Sequence, residues 1–172
     1  MGKLTLSFLL LLIGLSGCAS NYSGGFSSLL TCLTGCPAYG NFATNASIAN
    51  SNRIARDVAD RLALLYLPAS TRFNICQETT DAFGNALVRV LRDKGYAVFE
   101  FHPEAESQVC KKSSSKAINK AVDLDLRYVF DRPDNTNFYR VMVKVGGQLL
   151  IRAYVEQGTT VLPVGAWVRR EE

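Results

Sequence analysis

The 172-residue sequence has little of what an enzyme or a nucleic-acid-binding protein needs. Its single histidine, His102, precedes a proline in a polar stretch, and nothing around it marks a nucleophile. The net charge of +4 is spread along the chain, whereas a nucleic-acid footprint is usually dense. We find no internal repeat, and the glycine pair at 146–147 is a turn rather than a phosphate-binding loop. The sequence therefore favours a binding or assembly module, without a cofactor or a metal, over an enzyme.

Long hydrophobic runs are also missing, because a membrane-spanning helix needs about 20 apolar residues. The apolar run Leu6–Leu15 has only the length of a signal-peptide core, and the positive charge of Lys3 precedes it. Small residues then lead into Cys18 in the order Leu-Ser-Gly-Cys. We therefore expect residues 1–17 to be a signal peptide.

The segment that ends at Cys18 resembles the lipobox of bacterial lipoproteins. This resemblance implies diacylglycerol on the Cys18 sulfur, cleavage after Gly17 and acylation of the new amino terminus. Each buried methylene contributes about 0.8 kcal/mol, so two or three acyl chains hold the protein at a membrane. Ala19 stands where an aspartate would signal retention at the inner membrane. We therefore expect an outer-membrane anchor and a domain that faces the periplasm.

Composition divides the mature chain into two parts. Residues 18–43 contain the lipidated cysteine and are rich in glycine and serine, which is typical of a flexible tether. The remainder, 44–172, is the length of one domain, and 48% hydrophobic residues over the whole chain supply enough material for one core. We expect a single α+β periplasmic domain there.

Four further cysteines remain after Cys18 is assigned to the lipid, and the periplasm is oxidising, so we expect disulfides. Four cysteines permit three pairings, which sequence alone does not distinguish. We favour Cys32–Cys36, which is local, and Cys76–Cys110, which brackets a helix–strand unit. A zinc site is disfavoured because His102 lacks ligand spacing to any cysteine pair.

The first half of the domain predicts the order helix, strand, helix, strand. Ile54, Val58, Leu62 and Leu65 recur at helical spacing and end before Pro68. The segment 71–76 alternates like a strand, one of residues 79–81 caps a second helix, and Gly95 ends that helix. The apolar face of the second helix comprises Phe83, Ala86, Leu87, Val90 and Leu91, and residues 96–101 follow as a strand.

The second half, after a polar insertion at 104–120, predicts an antiparallel meander. The strands are 122–131, 138–145 and 148–155, with turns at 133–135 and 146–147, and then a short strand 161–169 in which Pro163 is a candidate break. The fold class is therefore α+β, with two helices on one face of a small, mainly antiparallel sheet.

Few side chains stand out as a functional site. Asp123 and Asp125 share one strand face and could form a carboxylate pair, but a solvated outer face explains them more simply. An exposed edge strand, or an aromatic patch near Tyr154 and Trp167, could contact a partner. The alternative for Trp167 is a core residue that closes the sheet.

Several segments together resemble the TrbH conjugal transfer lipoproteins. They are residues 81–87 (Asp-Ala-Phe-Gly-Asn-Ala-Leu), 91–98, 126–129, 139–141, 145–146, 152–155 (Arg-Ala-Tyr-Val) and 163–171 (Pro-Val-Gly-Ala-Trp-Val-Arg-Arg-Glu). The resemblance implies a non-catalytic structural or assembly component of a conjugative type IV secretion and mating-pair formation apparatus. Its partners would be the membrane, through Cys18, and other channel core proteins, with several copies in one assembly compatible with this role and no direct contact with nucleic acid. The alternative function is general envelope assembly, as in a pilotin or chaperone-like lipoprotein.

Overall fold

The computed structural model describes residues 39–102, 121–133 and 136–171. The predicted signal peptide, most of the predicted tether and the predicted insertion lie outside these residues. Within them, two α-helices accompany a seven-stranded mixed sheet. The elements are β1 (Gly40–Asn41), α1 (Ile48–Leu65), β2 (Thr71–Ile75), α2 (Ala82–Asp93), β3 (Ala97–Phe99), β4 (Val122–Asp131), β5 (Phe138–Val145), β6 (Gln148–Gln157) and β7 (Thr160–Glu171).

Helix α1 forms where the sequence predicts it. Ser47 caps its first turn, and the Ser47 hydroxyl accepts a hydrogen bond from the Asn50 amide at 3.1 Å. Ile54, Val58 and Leu62 are fully buried at the spacing of one helical face. The helix stops before the 3₁₀ turn that begins at Pro68, because proline cannot continue the ladder of helical hydrogen bonds.

The second helix confirms its predicted cap, apolar face and end. Asp81 is the N-cap, and its carboxylate accepts hydrogen bonds from the amides of Phe83 and Gly84 at 2.9 and 3.0 Å. Gly95, just past the helix, has φ +88°, a left-handed conformation that glycine adopts without strain. All five residues of the predicted apolar face are buried.

The long strand β4 organises the sheet. On one side it pairs antiparallel with β5, and β5, β6 and β7 continue as the predicted meander. On its other side, the first half of β4 pairs parallel with β2 and the second half with β1. Helix α2 makes the crossover that the parallel pair β2–β3 requires, and α1 connects β1 to β2, which both pair with β4. The sheet is therefore mainly antiparallel with a parallel side, and the α+β class is confirmed.

One hydrophobic core lies between the two helices and one face of the sheet. Alternate residues of the central strands point into it, as the register requires. Its strand members include Phe73, Leu126, Tyr128, Phe130, Tyr139, Val141, Val143, Leu150 and Tyr154. The opposite face of the sheet, which we call the open face, carries the intervening side chains.

Several strands differ from their predicted extent. The strand predicted at 96–101 is only Ala97–Phe99, and the strand predicted at 148–155 continues to Gln157. Gly40 and Asn41 form β1, in a segment that the sequence assigns to the tether. Strand β7 is not short or broken: it runs through Pro163 for 12 residues. Pro163 lies opposite Tyr154, between the pairs Val155–Leu162 and Ala153–Val164. In an antiparallel ladder every second pair is hydrogen-bonded, starting from Gln157–Thr160, which closes the turn. The two flanking pairs are therefore hydrogen-bonded and the Pro163–Tyr154 pair is not. Pro163 thus removes no hydrogen bond between β6 and β7.

Candidate interaction surface

Asp81 fastens helix α2 to the sheet as well as capping it. Its second carboxylate oxygen accepts a hydrogen bond from the Tyr128 hydroxyl at 2.8 Å, and Asn41 of β1 donates to the first at 2.8 Å. Tyr128 is fully buried, and this burial, together with the neighbouring carboxylate, raises the pKa of Tyr128 far above its ordinary value. The hydroxyl therefore stays protonated as a donor, and Asp81 serves the fold rather than chemistry.

Asp57 performs the same task for helix α1. Arg152 of β6 donates from Nη1 to both Asp57 oxygens at 3.0 and 2.9 Å, and Tyr154 donates from its hydroxyl at 2.7 Å. The Arg152 guanidinium also donates to the Gly165 carbonyl at 3.1 Å and stands 5.6 Å from the centre of the Trp167 ring. One cluster thus joins α1, β6 and β7.

A third polar cluster lies between the start of helix α1 and the end of strand β6. Glu156 accepts a hydrogen bond from Asn50 of α1 at 2.9 Å and pairs with Arg132 at 3.3 Å. Arg132 also donates to the Tyr139 hydroxyl at 3.0 Å. Burial first, and then the Glu156 charge, raises the pKa of Tyr139. The hydrogen bond from Asn50 thus holds α1 on the sheet a second time.

The two aromatic residues of the predicted partner contact both lie beside the Asp57–Arg152 ion pair but differ in exposure. Tyr154 is 2% exposed, with its ring in the core and its hydroxyl on Asp57. Trp167 is partly buried against the core and keeps some exposed surface on β7. The contact stays a prediction, and of the two side chains Trp167 is the one that a partner can reach in this conformation.

The other residues singled out from the sequence are distributed over several elements. Asp123 forms an ion pair with Arg72 on the neighbouring strand, and His102 is exposed at the end of a described segment. Cys76 is buried just after β2, whereas Cys18, Cys32, Cys36 and Cys110 lie outside the described residues. Lipidation and the disulfide pairings therefore stay predictions.

The described residues hold no group of three or more His, Cys, Asp or Glu side chains placed to bind a metal ion. Neither described helix is long and apolar enough to cross a membrane. Sequence reasoning missed the roles of Asp57 and Arg152. In the sequence, Asp57 is only a charge on a helix face, and Arg152 is only a charge between two apolar residues of a strand. No local pattern predicts that two residues so far apart in the chain form an ion pair.

The open face of β5, β6 and β7 is apolar, although it points away from the core. Cross-strand neighbours form rows on this face, since the side chains opposite each other in an antiparallel pair lie on the same side. We call these residues the apolar patch: Phe138, Met142, Leu149, Ile151, Ala153, Val155, Leu162, Val164 and Val168.

Four members of the apolar patch are markedly exposed. Phe138, Leu162, Val164 and Val168 have between 41% and 53% of their surface accessible. Isolated exposed apolar side chains are ordinary, but a contiguous patch on one sheet face marks an interaction site. The apolar patch is therefore the candidate functional site.

Three positive side chains of β5 and β7 border the apolar patch. Arg140, Lys144 and Arg170 lie on the same open face, and Arg140 forms an ion pair with Asp131 of the adjoining strand. No acidic side chain lies on the open face of these three strands over their described lengths. The surface thus combines apolar contact area with cations at its border.

The outer edge of β7 borders the apolar patch. In the part of the chain that the structure describes, β7 is the last strand of the sheet and pairs only with β6. An edge strand presents unpaired backbone N–H and C=O groups, which can pair with another chain. Backbone pairing and apolar contact are thus available at one place.

Comparison with known proteins gives one family match. A family model described as conjugal transfer protein TrbH matches residues 36–171. No curated protein and no solved structure gives a significant match to the chain.

Proposed function

The chain belongs to the TrbH family of conjugal transfer proteins, and on that premise we propose that it is a lipid-anchored structural component of a conjugative type IV secretion and mating-pair formation apparatus. In this proposal Cys18 carries the lipid at the inner leaflet of the outer membrane. The domain faces the periplasm and contacts other proteins of the secretion channel.

One observation carries the structural role: the exposed, contiguous apolar patch on the open face. A surface of this kind fits the contact of one protein with another. The charged clusters of the described residues, at Asp57, Asp81 and Glu156, are engaged in holding the helices on the sheet. Their geometry supports a scaffold rather than a catalytic site.

The anchor is supported by the lipobox resemblance and by the length of chain between Cys18 and the first described residue, Tyr39. About 20 residues in an extended conformation span at most about 70 Å. Such a tether gives the domain reach over a channel assembly while keeping its local concentration high.

Two substitutions test separately whether the protein is lipid-anchored and in which membrane the anchor lies. Cys18→Ser removes the acceptor sulfur, so we expect an unprocessed precursor and a plasmid transfer frequency equal to that of a strain without the gene. Ala19→Asp keeps lipidation but replaces the residue after the cysteine, so we expect the protein in the inner-membrane fraction and reduced transfer. Ala19→Ser is the matched control and should leave location and transfer unchanged.

Mass spectrometry of the mature protein completes the test. An acylated amino-terminal Cys18 is expected. Normal transfer by the Cys18→Ser strain, or a mature chain that begins elsewhere, would contradict the anchoring role. Loss of transfer together with the loss of a different envelope protein from its membrane would instead favour the pilotin-like alternative.

A further inference from the structure

Among the described residues, the outer edge of β7 pairs with no other strand, and we call it the free edge. The apolar patch adjoins it along the same strand. We propose that β7 takes up an extended segment of a partner protein as an added strand, with apolar side chains of that segment continuing the apolar patch and its carboxylates facing Arg169 and Arg170. This inference rests on the proposed function and names the class of partner for its contact surface.

The backbone of β7 decides where such a strand would pair. Pro163 has no N–H, and its nitrogen faces the free edge, so it removes a donor from the first half of the edge. The pairing with β6 is irregular between Ile151 and Ala153, opposite the left-handed Gly165 at φ +72°. Regular pairing with β6 resumes at Val168, and residues 168–171, which contain no proline, form a regular edge.

Charge favours an acidic partner. Arg170 lies on the open face beside Leu149, while Arg169 lies opposite Leu150 and so points to the helix side. Both arginines are exposed, and Arg169 makes a long 3.6 Å contact with the exposed Glu171. Cations therefore border the edge on both faces, and a segment that carries carboxylates beside its apolar residues is complementary to them.

The size of the surface argues against a second copy of this chain. Three strands about 4.8 Å apart and about six residues of 3.4 Å each give the apolar patch a footprint of about 300 Å². A stable dimer buries about 800 Å² on each partner. An added strand, in contrast, contributes backbone hydrogen bonds that need little area.

The free edge also argues against a bilayer as the occupant. Lipid offers no ordered row of donors and acceptors to match the backbone groups of residues 168–171. An extended polypeptide can form hydrogen bonds with the backbone of the edge and place apolar side chains on the apolar patch.

Binding to a peptide array is the direct experiment. The probe is an array of overlapping peptides that tile the periplasmic sequences of the other transfer proteins encoded with this chain. The mature chain with Cys18→Ser is applied in soluble form. We expect capture by peptides that alternate apolar residues and contain Asp or Glu. The chosen peptide is then titrated in solution, with emission from Trp167, the sole tryptophan and a residue of β7, as the signal.

Three variants give the result its specificity. Arg170→Glu should weaken binding about tenfold by replacing an attraction with a repulsion. Val168→Thr keeps the β-branched shape and removes apolar surface, so it should also weaken binding. Arg53→Glu makes the same change of charge on the exposed side of α1 and should bind as the parent does.

Several outcomes would overturn the proposal. These are an array without captured peptides, equal binding by the Arg170→Glu and parent chains, a dimer in light scattering that Val168→Thr abolishes, and a Trp167 change produced by vesicles of 7:3 phosphatidylcholine and phosphatidylglycerol. Because the chain in this experiment carries no lipid, a failure here leaves the anchoring role standing, and a failure of anchoring leaves this result standing.

Discussion

At the scale of single residues, Gly84 allows a close approach of helix α2 to its neighbours that any side chain would prevent. It lies in the first turn of α2, where alanine would ordinarily be the better helix former by about 1 kcal/mol. A β-carbon at Gly84 would lie 2.8 Å from the Thr79 backbone and in severe overlap with the Tyr128 hydroxyl. The hydrogen bond from Tyr128 to Asp81 therefore depends on this glycine.

We predict that Gly84→Ala destabilises the protein by about 1–3 kcal/mol, because overpacking outweighs the gain in helix propensity. The free energy of unfolding in urea measures the effect. Tyr128→Phe removes the hydroxyl that the new methyl would meet. The double variant should therefore lose less than the sum of the two single losses, and strict additivity would contradict the proposed contact.

At the scale of secondary-structure elements, Asp57 and Asp60 form a matched pair on helix α1. Asp57 accepts three hydrogen bonds from Arg152 and Tyr154 of β6. Asp60 is 55% exposed and makes one ion pair, with Lys94 just after α2, at 2.5 Å. The two carboxylates are therefore chemically identical but differ in exposure and in the number of their partners.

Asp57→Ala should destabilise the protein by about 2–3 kcal/mol, because the partly buried Arg152 loses its counter-charge. Asp60→Ala should cost no more than about 1 kcal/mol, as is usual for an exposed ion pair. Urea unfolding of both variants tests the difference. Similar losses in the two would mean that the cluster at Asp57 does not hold α1 on the sheet.

At the scale of the whole molecule, buried tyrosines couple stability to alkaline pH. Burial and a nearby carboxylate raise the pKa values of Tyr128 and Tyr154 above the ordinary 10.0. Above pH 10 the unfolded chain therefore releases protons that the folded protein keeps, and unfolding becomes easier. Below pH 10 both states hold these protons, and their contribution is fully present.

We predict that the free energy of unfolding falls by up to about 1.4 kcal/mol per pH unit for each of these tyrosines above pH 10. Urea titrations between pH 8 and pH 11 on the Cys18→Ser chain measure the slope. Lysine and other groups also titrate there, so the comparison is with Tyr128→Phe and Tyr154→Phe, whose slopes should be shallower. Identical slopes in the parent and both variants would contradict the burial argument.

Much of the fold follows from local patterns in the sequence. The 3.6-residue spacing of α1 and α2, the cap at Asp81, the glycine at 95 and the turn at 146–147 all lie where the sequence predicts them. Such features depend on residues a few positions apart, so periodicity and turn chemistry are sufficient. The family resemblance also rests on short segments that follow one another in a fixed order along the chain, and the family match covers the same region.

Tertiary structure alone decided the parallel pairings on the other side of β4 and which face of the meander the helices cover. The stretch Leu149-Leu150-Ile151 of β6 is apolar on both sides, so alternation does not tell which side chains meet the helices. Only the packing of α1 places Tyr154 inside, on Asp57, and leaves Ile151 and Val168 on the open face. The division of β4 between β1 and β2 is equally non-local. Sequence determined the elements because their signals are local, and the fold decided the interaction surface because contacts between distant segments determine which apolar face the helices cover.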